Sequence, residues 1–403
     1  MIKKYIKREK YLNYIIPYIE KDLIKVIVGQ RRVGKSYLLY QLMDLIKEKK
    51  KDSNIIYINK ELYEFEEIKD SKSLLEYVDK KTNKRHMKNY VFIDEIQDIE
   101  EFEKALRSLN ASEKYDIYCT GSNANLLSGE LATYLSGRYI EITMHSLSYN
   151  EFIQFHKLNN NDNTLLKYIK YGGLPYLIHL ELNDDIVYDY LRNVYNTILL
   201  KDVVARYKIR NVSFLENLVE YIADNTGSLV SAKKISDFLK SQNIKISPNV
   251  VLNYLSFLSS SFFVYRVQRS DIQGKKIFEI NDKYYFEDLG LKNSIVGYKQ
   301  VDINKDLENL VFSHLKYFGY KITVGQMKEK EIDFVCEKNN KTKYIQVAYI
   351  VNEKNKEREF GNLLAIQDNY EKIVVSMDKL IDGEYEYKGV KHMNINYFLT
   401  NFS

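Results

Sequence analysis

The sequence predicts an α/β fold built on a parallel sheet within residues 1–147, and three observations carry that expectation. Five short apolar runs, Ile24–Val28, Asn54–Ile58, Tyr90–Ile93, Tyr115–Thr120 and Tyr139–Thr143, alternate with segments of helical spacing such as Ser73–Tyr77 and Phe102–Leu109. Strands that alternate with helices in this way argue a parallel sheet. The octet Gly29-Gln30-Arg31-Arg32-Val33-Gly34-Lys35-Ser36 fills the pattern G-x-x-x-x-G-K-[ST] without a mismatch, directly after the first strand and before the helical Tyr37–Met43. The run ending at Ile93 closes on two carboxylates, Asp94 and Glu95, as a strand covered on both faces does when it emerges at a polar edge.

The octet is a phosphate-binding loop in its proper setting. Its glycines allow backbone conformations and close approaches that a Cβ would block, and its N–H groups turn inward toward an anion. Lys35 is placed to reach the β- and γ-phosphates of ATP, and Ser36 to ligate Mg²⁺. The helix that opens there adds its positive end. The candidate nucleotide-binding residues are therefore Gly29, Gln30, Arg31, Arg32, Val33, Gly34, Lys35, Ser36 and Tyr37. Asp94 joins Ser36 as the candidate metal ligand, and Glu95 is the candidate to polarise the attacking water. The additional strand Asn54–Ile58, with the adjacent glutamate, points to the arrangement that sets Glu95 on the strand neighbouring that of the loop.

The fourth strand ends in Thr120-Gly121-Ser122-Asn123. Ser122, with Asn123 in reserve, is expected to sense the γ-phosphate and orient the water; the alternative is that either residue caps the next helix. In Leu135-Ser136-Gly137-Arg138-Tyr139, Arg138 is a candidate arginine finger, in cis or from a neighbouring subunit, against the alternative of an ordinary surface arginine.

Residues 148–221 have a helical pattern without convincing strands, with a turn at Tyr171-Gly172-Gly173-Leu174-Pro175, and read as a small helical lid. Residues 222–290 read as a winged helix. Ala232–Leu239 is one helix, Pro248–Leu255 begins the next behind a Ser247 cap, and Phe262–Val267 with Lys276–Ile280 form a hairpin whose tip is Gln273-Gly274. Such a motif serves DNA through its second helix or serves a protein partner, and few basic side chains lie on the presumed reading helix.

Residues 291–403 form another α/β unit. Glu308 on a helix, Asp333 opening a strand, and a polar-x-Lys position on the next strand match the metal-binding layout of restriction-endonuclease-like folds. Here that last element is Gln346-Val347-Ala348, lacking one carboxylate and the lysine, so two-metal hydrolysis should be disabled.

At 403 residues the chain is long enough for two to four domains. Lys+Arg of 60 against Asp+Glu of 55 leaves +5, which permits nucleic-acid binding without requiring it. Cys119 and Cys336 both lie in apolar runs, where thiols pack as small hydrophobes, and no zinc spacing exists. No apolar stretch approaches the ~20 residues of a membrane span, and Met1–Arg8 lacks the apolar segment of a signal peptide, so no membrane partner and a cytoplasmic location are expected.

In this order of parts the chain resembles the bacterial and archaeal AAA+-like ATP-binding proteins that join a P-loop core to a C-terminal domain of unknown function. That domain is similar to a degenerate restriction-endonuclease fold. The resemblance is carried by Gly29–Ser36, Phe92–Glu95, Thr120–Ser122, Ser136-Gly137-Arg138, Ser148–Phe152, Tyr171–Pro175, Tyr284–Gly290 and Glu331–Phe334, and it covers nearly the whole chain. It implies ATP binding and a multidomain architecture with a winged helix, and the sequence leaves the choice between monomer and oligomer open. Two functional classes follow: an ATP-driven switch coupled to a DNA or protein partner, and an ATP-dependent DNA nuclease in defence against foreign DNA. Gln346 and Ala348 argue against the second. A small-molecule kinase is weaker still, because nothing after Ser36 offers an acceptor pocket.

Overall fold

The computed structural model describes residues 5–83, 88–127, 137–272 and 277–403. The chain divides into two compact units, residues 1–145 with 260–262, and residues 146–259 with 263–403. Among the described residues no helix is long and apolar enough to cross a membrane.

Unit one begins with α1 (Glu9–Ile15) and holds five strands, β1 (Ile24–Val28), β2 (Ile55–Asn59), β3 (Asn89–Asp94), β4 (Tyr115–Gly121) and β5 (Tyr139–Thr143). They lie in the order β2-β3-β4-β1-β5, and every neighbouring pair is parallel. The helices α2 (Lys35–Lys49), α3 (Ser71–Lys81) and α4 (Phe102–Ala111) make the crossovers. The α3 helix starts where Asp70 accepts from the Ser73 N–H and the Ser73 hydroxyl answers the Asp70 N–H, a capping box that fixes its first turn. Each predicted strand lies within one residue of its expected bounds, because the parallel strands β1, β3 and β4 are buried along their whole length and had to be written as unbroken apolar runs.

One expectation is corrected. Glu95 does not follow the strand next to β1, since β1 pairs with β4 and β5 while β3 pairs with β2 and β4. Both β3 and β4 are covered along their whole length, as interior strands are, while β2 at the edge is only partly covered.

Unit two opens with helices alone. They are α5 (Tyr149–His156), begun by a Ser148–Glu151 capping box, α6 (Asp162–Tyr171), α7 (Asp184–Thr197), a π-helical stretch Ile198–Ala205, and α8 (Val212–Asp224). A short β6 (Leu229–Val230) precedes α9 (Ala232–Ser241) and α10 (Pro248–Ser260), after which β7 (Val264–Asp271) and β8 (Ile277–Phe286) pair antiparallel. The expected hairpin tip, Gln273-Gly274, lies outside the described residues.

Next come α11 (Leu289–Val296), α12 (Ile303–Tyr317), β9 (Lys321–Met327), β10 (Lys330–Lys338), β11 (Lys341–Val347) and α13 (Lys356–Leu364). The chain finishes with β12 (Glu371–Ser376), β13 (Glu384–Tyr387), β14 (Val390–Asn394) and α14 (Ile395–Asn401). All the strands of the unit join one nine-stranded sheet, β13-β14-β12-β11-β10-β9-β7-β8-β6. The β7–β8 hairpin continues into the C-terminal strands through a parallel pairing of β7 with β9.

Two of the sequence motifs meet inside this unit. The Asp288 carboxylate accepts from the N–H of Gly173 (2.8 Å) and from that of Leu291 (3.1 Å), so it ties the turn after α6 to the start of α11. Gly172 has φ +74°, and a Cβ there would stand 2.1 Å from Asp288 Oδ1. A Cβ on Gly290 would stand 2.0 Å from the Tyr171 carbonyl oxygen. Both motifs keep glycine because two backbones touch.

Candidate functional site

The carboxyl ends of β1, β3 and β4 converge on the loop that opens α2. Gly34 (φ 100°) and Arg32 (φ 73°) both lie at positive φ, which curls the loop back over its own N–H groups. Lys35 is buried, and its ammonium donates to the carbonyls of Gly29 (3.0 Å) and Gln30 (3.1 Å). It also faces Glu95 Oε1 at 3.8 Å. A lysine held by two carbonyls and a single carboxylate has hydrogen-bonding capacity and charge to give to a phosphate.

Glu95 adopts the left-handed conformation (φ 56°, ψ 54°), costly for a non-glycine residue, so the turn needs support from its neighbours. Thr120 pins this turn. Its hydroxyl accepts from the Glu95 N–H (3.0 Å) and donates to Asp94 Oδ1 (2.5 Å). Gln97 Nε2 donates to Glu95 Oε2 (2.5 Å), and the Ser122 side chain hydrogen-bonds the same carboxylate. Burial pushes the Glu95 carboxyl up, but Lys35, Arg31 and the Gln97 and Ser122 hydrogen bonds outweigh it and hold the group below the usual carboxylate range. It is therefore a base at neutral pH. Burial raises Asp94 against opposing hydrogen bonds from Ser36 and Thr120.

Lys35, Ser36, Asp94, Glu95 and Ser122 are thus brought together. The residues present fit Mg²⁺ with ATP: the Ser36 hydroxyl already meets the Asp94 carboxylate, and both polar atoms of the buried Gln30 amide find no protein partner. Arg31 makes an ion pair with Glu61 at the edge of the loop (2.8 Å), Val33 is fully buried, and Tyr37 is half exposed against Tyr40.

Arg138 is not brought to this cluster. Its carbonyl accepts from the Ile24 N–H at the opening of β1, and its side chain is exposed. The site lies at the other end of the same strand, about 16 Å away at strand rise. In a parallel sheet the start of β5 is remote from the end of β1, so the structure does not bring Arg138 to the loop of its own chain. Ser136 lies outside the described residues.

Thr120 and Gln97 were missed as site residues. Thr120 sat in the polar patch from which Ser122 was chosen, and its hydroxyl at the end of an otherwise apolar strand was the available signal. Gln97 carried none, because only the left-handed turn at Glu95 brings it round.

In unit two, Glu308, Asp333, Gln346 and Ala348 line one cavity of about 820 Å³. The β10 register shifts between Ile332 and Val335, a bulge that sets Asp333 beside the Val347 N–H (2.8 Å). Burial and the neighbouring Glu308 push the Asp333 carboxyl well up, against Lys283. As they stand, no three acidic, histidine or cysteine side chains among the described residues are placed to hold a metal ion, and the carboxylates near Asp333 face the Lys283 ammonium instead.

Residues 21–153 match the family described as AAA domain, and residues 162–302 match a domain of unknown function (DUF8612). A Haemophilus influenzae protein is 38% identical over 381 residues, covering 93% of this chain and 94% of its own. A Methanocaldococcus jannaschii protein is 34% identical over 371 residues, covering 88% and 81%. Among solved structures, the Aeropyrum pernix Orc1 protein in complex with DNA is similar at 11% identity and a TM-score of 0.37, over 73% of this chain and 93% of that one. At 38% identity along nearly all of both chains, the protein, whose residues 21–153 match an AAA domain, belongs to the same family as its Haemophilus influenzae relative.

Proposed function

We propose that the chain is a Mg²⁺-dependent, ATP-hydrolysing switch of the cytoplasm that couples the nucleotide state of unit one to a DNA or protein partner of unit two. The observation that carries this reading is the cluster of Lys35, Asp94, Glu95 and Ser122 at the loop, with Glu95 held ionised. Ser36 and Asp94 would hold the magnesium ion, which neutralises phosphate charge when bound. Lys35 exchanges its loop carbonyls for phosphate oxygens. Glu95 takes a proton from the attacking water, while Gln97 and Ser122 fix the angle at which it does so.

Arg138 supplies positive charge to the site of a neighbouring copy. Specific ATPase activity should then rise with protein concentration, and Arg138→Ala should depress turnover by about 10³-fold without weakening ATP binding. Activity that stays flat across a dilution series, in a protein monomeric by light scattering with an ATP analogue bound, would sink the trans role.

Residues 222–290 are read as a winged helix, and residues 291–403 as a restriction-endonuclease-like fold without activity. The exposed Lys233, Lys234 and Lys240 of α9 support weak contact with duplex phosphates, and α10 presents Asn249, Asn253 and Ser256, a face poor in arginine for base reading. Lys275 and Lys276, which follow Gln273-Gly274 in the sequence, lie outside the described residues. Binding should fall steeply with salt, and exchanging Lys233 and Lys234 for alanine should reduce the log–log salt slope by about 2. No binding at low salt, with or without ATP, would move this face to a protein partner.

A further inference from the structure

The sequence pointed to three acidic or polar positions of a nuclease-like site and to the two that are missing. The structure adds a residue that no spacing linked to them. Lys283, on β8, is buried, and its ammonium lies 2.9 Å from Glu308 of α12, 2.8 Å from Glu331 and 3.9 Å from Asp333, both of β10. Tyr285, two residues along the same strand, donates to the same Glu308 oxygen at 2.5 Å. Gln346, nine-tenths buried on β11, lines the cavity beside these carboxylates, and its Oε1 has no partner.

We propose that the Lys283 ammonium is the resident cation of this pocket, standing where a divalent metal would have to sit, and that a metal site formed by Glu308, Glu331, Asp333 and Gln346 opens only when Lys283 is removed. The inference rests on reading residues 291–403 as a nuclease-like fold without activity, and it gives that loss a second cause. Even a restored carboxylate and lysine at positions 346 and 348 would meet carboxylates already engaged by the Lys283 ammonium. The geometry is that of a cation cage: three carboxylates from two elements face one positive centre, while an unsatisfied amide oxygen waits at the rim. A free ammonium transferred to such a buried place would be expelled by its desolvation cost, but this one is covalently delivered by β8. The three carboxylates overcome burial and keep it charged. Bonds to Mg²⁺ or Mn²⁺ are shorter than these ammonium contacts, near 2.1 Å, so Glu308 and Glu331 must close in by about 1 Å, and Asp333 by nearly twice as much, before they can ligate. Lys283 holds them apart.

The test is Mn²⁺ binding to the full chain without nucleotide, followed by electron paramagnetic resonance. Lys283→Met should bind one more Mn²⁺ per chain than the wild type, and the gain should vanish in Lys283→Met combined with Asp333→Asn. Lys283→Arg, which keeps the cation, should gain nothing. If Lys283→Met fails to fold without metal, Mn²⁺ should restore its far-ultraviolet circular dichroism to that of the wild type. A folded Lys283→Met with no added Mn²⁺, an unfolded one that Mn²⁺ does not restore, or a wild type that loses a bound Mn²⁺ on Asp333→Asn would each overturn the proposal. Plasmid cleavage by the wild type reports separately on the inactive-nuclease reading, since the binding count does not depend on turnover.

Discussion

Glu95→Gln should lower ATP turnover by at least about 100-fold while leaving ATP affinity unchanged or tighter. The glutamine keeps the length of the side chain and still offers an oxygen to Gln97 and Lys35, so the left-handed turn and the loop retain their partners. What it loses is the basic oxygen that accepts the water's proton. It also removes a negative charge 3.8 Å from the lysine that meets the phosphates, and this is why binding does not suffer. Steady-state phosphate release measures the first effect. Turnover within about threefold of the wild type, in a variant that folds, would remove Glu95 from the chemistry.

Gly172→Ala should destabilise unit two by about 3 kcal/mol, because the residue sits at a φ, ψ of +74°, −166° open only to glycine and its new Cβ meets Asp288 and the Gly290 N–H together. For a unit of this size that is a melting midpoint lower by about 10 °C. The comparison that isolates the contact is Gly319→Ala, at φ +80° with nothing within 4 Å of the added Cβ. It carries only the left-handed cost of about 1 kcal/mol. Thermal unfolding followed by circular dichroism distinguishes the two. Equal midpoints for both variants would show that the Asp288 tie does not hold the two motifs together.

The parts of the fold legible in the sequence are those where local chemistry leaves no choice. A phosphate loop needs its glycines at fixed offsets, and strands covered on both faces need unbroken apolar runs, so β1 to β5 and the Lys35, Ser36, Asp94 and Glu95 set could be read directly. Strand order was not legible. The strands β1, β3 and β4 are all buried along their whole length, so their apolar runs do not tell which of β3 and β4 stands beside β1. Arg138 shows a related limit: it directly precedes β5 in the sequence, but its remoteness from the loop follows only once β5 is placed parallel beside β1. Asp288 and Lys283 are the clearest cases. Each meets partners from other elements, and neither an aspartate before a helix nor a lysine between an aspartate and a tyrosine carries a periodic or spacing signal.

The central claim is that the loop of unit one binds ATP with Mg²⁺, and the binding arm of the Glu95→Gln prediction tests it most directly because hydrolysis no longer consumes the ligand. Isothermal titration of ATP with Mg²⁺ into Glu95→Gln should give saturable binding at one site per chain. Adding Lys35→Ala should weaken that binding at least about tenfold, the loss of a charge-assisted contact to phosphate. A Glu95→Gln protein that takes up no ATP, or a Lys35→Ala protein that binds it as tightly, would contradict the account.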